Sequence, residues 1–111
     1  LSEKMMIQWP CILKLEGDSE LLFLASEQDL VLELEALIWS ASDRLIDSGG
    51  QSYVVRDSTG SYDYEVDGKR LSLEFVTQLI QEHEFSKAGV CITKIQFSSI
   101  PEAIQALALE T

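Results

Sequence analysis

The chain has 111 residues, 46% hydrophobic and 24% charged, with 19 acids against 8 bases and a formal net charge of −11. That length sets the expectation of a single domain over 1–111, able to bury a core without disulfide or metal staples. The acidity argues against nucleic acid, whose binding runs on Lys and Arg neutralising phosphates, and against anionic membrane surfaces.

About the first five residues, up to the Met5–Met6 pair, read as a leader or cloning remnant. "IQWPCILKL" then alternates, with Ile7, Trp9, Cys11, Leu13 and Leu15 on one face of a strand. Pro10 lacks an N–H, which places that strand at an edge or turns its N–H side outward there. "EGDS" is a turn, and "ELLFLA" a second strand that closes a hairpin. Ser26 caps a first helix, with Asp29 in its first turn. Leu30, Val31, Leu34, Leu37, Ile38 and Ala41 form its apolar stripe. Leu32 and Trp39 fall on the other side of that helix. They mark either a second buried side or a contact surface between molecules.

"DRLIDSGGQ" reads as a short strand running into a Gly-Gly turn. "SYVVRD" and "SYDYEV" make a second hairpin across "STG". Tyr62, Tyr64 and Val66 share one face of its return strand while Asp63 and Glu65 take the other, the pattern of a sheet with a wet side. Asp67-Gly68 follows as a tight turn. Ser72 caps the next helix, Leu71 and Val76 have staple spacing, and Gly89 suits its close. Val76, Leu79, Ile80 and His83 line its core face. "VCITKIQF" is a last strand, and the Ser99-x-x-Glu102 box with Pro101 opens a last helix with Ile100, Ala103, Ile104 and Leu107 inward.

Chemistry is sparse. Cys11 and Cys91 form no CxxC, and with the sole histidine they leave zinc short of four ligands, so no metal and no cofactor is expected. Cys91, just after a helix C-terminus, is poorly placed to become a thiolate. Neither a Walker pattern, nor a GxGxxG run, nor a GxSxG elbow is present. His83, with Cys91 or Tyr64 nearby, is the one candidate ligand or pH-sensitive site; the competing reading is a satisfied core histidine. No apolar run has the length of a membrane span and no basic start precedes an apolar stretch, which gives reduced thiols in a cytoplasm as the expectation.

The segments "MIQWPCILKL" and "HEFSKAGVCITKI" resemble a gammaproteobacterial domain-of-unknown-function family of short proteins. The resemblance rests on Trp9, Pro10, His83, Gly89, Cys91 and Lys94. It implies a small bacterial intracellular α+β protein and carries over no activity, cofactor or catalytic residue.

The resulting expectation is an α+β fold of order β-β-α-β-β-β-α-β-α. Its mostly antiparallel sheet has three helices packed on one face and a wet face marked by Arg56, Asp63, Glu65 and Lys94. Two small sheets are the alternative. In function the reading is a non-catalytic interaction or accessory protein, through a protein partner or self-association at Leu32 and Trp39. The alternative is a small-molecule binder or weak enzyme using His83.

Overall fold

The computed structural model describes residues 7–17, 21–36, 42–58, 61–88 and 96–108. The sheet is organised around strand β1 (Cys11–Lys14), whose Cys11, Ile12 and Leu13 are all buried, so that both of its faces need cover. β1 pairs with β2 (Leu21–Leu24) on one side and β3 (Arg44–Ile46) on the other. β4 (Gln51–Ser58) and β5 (Ser61–Arg70) continue a single five-stranded sheet in the order β2-β1-β3-β4-β5, every pair antiparallel. Three helices complete the described chain: α1 (Glu27–Ala36), α2 (Leu73–Ala88) and α3 (Ile100–Ala108).

Class, antiparallel pairing and element order agree with the expectation, and one sheet rather than two is formed. The strand expected across 90–97 lies outside the described residues apart from Gln96 and Phe97. The helices, however, divide between the two faces instead of sharing one. Leu30 and Leu34 of α1 pack with Cys11, Leu13, Leu24, Leu45, Tyr53, Val55 and Tyr64 on one side. Val76, Leu79 and Ile80 of α2, with Ala103, Ile104 and Leu107 of α3, pack on Ile12, Leu21 and Ile46 on the other. The reason is local. "CIL" is an unbroken apolar run, and a strand apolar on both sides must be covered on both.

Pro10 precedes the ladder and does not interrupt it. β1 is therefore an interior strand and not the edge strand that a proline inside it would require. Residues 7–10 are tied instead to the turn after β3, where Ser48 N–H donates to Gln8 O at 2.9 Å and Ser48 Oγ to Pro10 O at 2.7 Å. Asp67-Gly68 also departs from expectation. It forms an irregularity inside β5, with Gly68 at φ 85°, and pairing resumes at Gln51 opposite Arg70.

The helix starts follow their capping residues. Ser26 Oγ accepts from Asp29 N–H at 3.4 Å, and Ser72 Oγ from Phe75 N–H at 3.1 Å. Ser99 Oγ accepts from Glu102 N–H at 3.3 Å, while Glu102 reaches back one residue further than the usual box, to Ser98 N–H and Oγ at 2.6 and 2.7 Å. Gly50 secures the approach of α2. Leu71 N–H donates to Gly50 O at 2.7 Å, and any Cβ at Gly50, where φ is 84°, would run into Leu71 O.

Candidate functional site

His83 sits on the inward stripe of α2, one turn beyond Leu79 and Ile80, and is 3% exposed. Its Nδ1 accepts the backbone N–H of Leu21 at 2.9 Å, a buried bond that ties β2 to the helix. An accepting Nδ1 carries no proton, which puts the ring proton of this neutral tautomer on Nε2. Tyr64 is equally buried, but it belongs to the opposite face of the sheet. Its hydroxyl donates to Glu27 Oε2 at 3.3 Å and joins β5 to the first turn of α1. Burial, then the Glu27 charge and that hydrogen bond, push the phenol above its ordinary range. The structure thus does not bring His83 and Tyr64 together. Cys91 lies outside the described residues, as does Trp39.

Cys11 is a free thiol, fully buried, with Sγ 3.7 Å from Gln8 O. Burial raises its pKa, and the nearby Asp47 charge raises it further. Asp47 itself escaped the sequence reading. It is 2% exposed and its carboxylate accepts from Gln8 N–H, Gly49 N–H, Gln51 N–H and the Tyr53 hydroxyl, at 3.2, 2.9, 2.9 and 3.4 Å. A carboxylate saturated in this way shapes the Gly-Gly turn and anchors the N-terminal segment. The available signal was Asp followed by Ser-Gly-Gly, the pattern of a side chain that bonds backbone two residues on.

Two surface features remain. On α1, Leu32 points away from the core and is 65% exposed. Asp29 and Glu35, at i−3 and i+3, flank it. The helix carries Glu27, Asp29, Glu33 and Glu35 and no base. Glu27, Gln28, Asp29, Val31 and Leu32 line a shallow hollow of about 570 Å³. The second feature is a cleft of about 370 Å³ on the α2 side of the sheet, where Lys14, Arg44 and Lys69 meet Asp67 and the apolar side chains of Ile46, Leu71, Phe75 and Leu79. Among the described residues, no three His, Cys, Asp or Glu are placed to hold a metal ion, and no helix is long and apolar enough to cross a membrane.

A model of the DUF4144 family, described as protein structure with unknown function, matches residues 9–107. The chain is a DUF4144 protein. No curated protein matches it. Among solved structures, an NMR structure of a protein from Shewanella amazonensis is similar, with a TM-score of 0.72 and 24% identity over 95% of this chain and 90% of that one. At that identity the likeness shows that this DUF4144 chain shares a fold with the Shewanella protein, and nothing of its chemistry.

Proposed function

We propose that this DUF4144 protein is a non-catalytic interaction module whose α1 outer face receives a basic, amphipathic segment of a protein partner. The observation that carries the reading is Leu32, an exposed aliphatic side chain flanked by the exposed acids Asp29 and Glu35 on a helix that carries four acids and no base. An isolated exposed leucine is ordinary. Here it adjoins Val31 and a hollow, and the carboxylates around it supply a polar rim of a single sign. A partner with apolar anchors on one side and Lys or Arg beside them satisfies both features, and the net charge of −11 speeds its encounter.

Self-association through the same face is the weaker version. Two copies of α1 would set four exposed carboxylates, Asp29 and Glu35 of each, against one another around a small apolar contact. The absence of catalysis is supported by the commitment of the buried polar groups. His83 Nδ1, the Asp47 carboxylate and the Tyr64 hydroxyl each hold a structural hydrogen bond. A cytoplasmic setting in a gammaproteobacterium fits the free thiol of Cys11 and the Shewanella relative.

Mapping tests the site. A synthetic helical peptide with Leu along one side and Lys along the other is titrated into isotope-labelled protein, and amide shifts are followed. The proposal requires saturable shifts centred on Gln28–Ala36. Shifts spread evenly over all acidic surfaces, with no focus on α1, would overturn it.

A further inference from the structure

We propose that the cleft between the N-terminal half of α2 and the sheet is a second, separate binding site, for a small organic carboxylate with an apolar body. Its origin is architectural. α2 covers the sheet as far as β3, whereas over β4 and β5 the same face turns polar, with Arg56 and Glu65 exposed and paired at 2.9 Å. The cleft lies at that boundary.

The irregularity in β5 builds its polar wall. With Gly68 in the left-handed region, Lys69 N–H turns back onto Asp67 Oδ1 at 2.9 Å. Asp67 Oδ2 then takes Ser52 Oγ at 2.8 Å and Arg44 Nε at 3.0 Å. Asp67 therefore acts as a positioning residue, holding the Arg44 side chain at the mouth, while Lys14 and Lys69 stand beside it.

Charge decides the ligand's head. Acids outnumber bases 19 to 8 in the whole chain, yet three bases meet only two acids, Glu16 and Asp67, around this cleft. Arg44 and Asp67 pair with each other, so the balance that remains is Lys14 and Lys69 against Glu16. The opposite wall decides the body. Ile46, Leu71 and Leu79 form an apolar floor, and Phe75 stands at its lip still 47% exposed. Because the chain as a whole repels anions, a bare inorganic anion gains too little here; the apolar body must contribute. The volume is at the small end of the range in which ligand pockets fall.

Hydrocinnamate is the probe, with hydrocinnamamide as its uncharged isostere and propionate as the head without the body. Amide correlation spectra of the full chain are followed during titration with each. We expect saturable hydrocinnamate shifts at Arg44–Ile46, Ser52, Lys69 and Leu71–Leu79, with α1 unmoved, and binding about tenfold weaker for the amide and for propionate. Lys69→Glu and Phe75→Ser both alter exposed side chains, and each should weaken hydrocinnamate several-fold while spectral dispersion is kept. Equal affinity for acid and amide, shifts outside the cleft, no saturation, or indifference to both substitutions would each overturn the proposal. The result does not depend on the α1 face, whose failure or success is read at different amides.

Discussion

Leu21 and His83, 62 positions apart, are joined by a buried hydrogen bond of 2.9 Å from backbone N–H to ring Nδ1. The bond satisfies a strand donor that the ladder with β1 leaves over, and it fixes the second half of α2 against the sheet. Truncation by His83→Ala strands that donor in an apolar setting and leaves a cavity beside Leu79 and Ile80. A loss of about 3 kcal/mol in denaturant unfolding is expected. His83→Asn, whose Oδ1 can stand where Nδ1 stood, should recover part of it. Ring nitrogen shifts of the neutral histidine should show the proton on Nε2.

Asp47 should prove the most sensitive polar position described. Asp47→Ala removes the common acceptor of three backbone N–H groups and the Tyr53 hydroxyl. Bonds to a charged acceptor contribute about 1.5–3 kcal/mol each without adding simply, so a loss of at least about 3 kcal/mol is expected. Thermal and denaturant melts measure it. Hydrogen exchange should speed up first at Gln8 and Gly49–Gln51.

Asp67 gives the fold an acid-side dependence. Burial works to raise its pKa, but the Lys69 N–H, the Ser52 hydroxyl, and the Arg44 hydrogen bond and charge outweigh it and hold the carboxyl below the ordinary range. A folded-state pKa below the unfolded one contributes stability that is fully present above the unfolded value. That stability is lost as pH falls through the folded one. Unfolding free energy should therefore drop as the solution is acidified below the ordinary aspartate range. Asp67→Asn should be less stable at neutral pH and show a shallower acid-side fall.

Cys11 is both buried and held as a neutral thiol, and a nucleophilic thiol needs the opposite on both counts. In a Cys91→Ser background, its reaction with an aromatic disulfide reagent should be at least about a hundredfold slower in native protein than in denaturant, because labelling waits for opening. Rapid native labelling would show a route to the thiol that the packed face does not provide.

The sequence carried much of the fold through short-range rules. Ser26, Ser72 and Ser99 marked three helix starts because a cap is a contact between residues three apart. Alternation in "SYDYEV" separated Tyr62, Tyr64 and Val66 from Asp63 and Glu65 because strand periodicity is strict. Three points were not legible. Pro10 was placed inside a strand because alternation runs on through Ile7 and Trp9, although those residues pack on the core without joining the ladder. Asp67-Gly68 has the composition of a tight turn and of a bulge alike; the outcome is set by partners, Arg44 and Ser52, 23 and 15 residues away. The cleft joins side chains from β1, β3, β4, β5 and α2, a juxtaposition that exists only once the sheet order is known.

The α1 face carries the functional account, and one comparison tests it most directly: the affinity of the Leu/Lys peptide for the wild-type chain and for Leu32→Ser, each at low and high salt. Salt screens the carboxylates, whereas the serine removes only the apolar anchor, which contributes about 1.5–3 kcal/mol when buried. The account predicts that Leu32→Ser weakens binding about tenfold or more at both salt concentrations. An unchanged affinity in Leu32→Ser, with binding abolished by salt alone, would contradict it and reduce the interaction to diffuse charge.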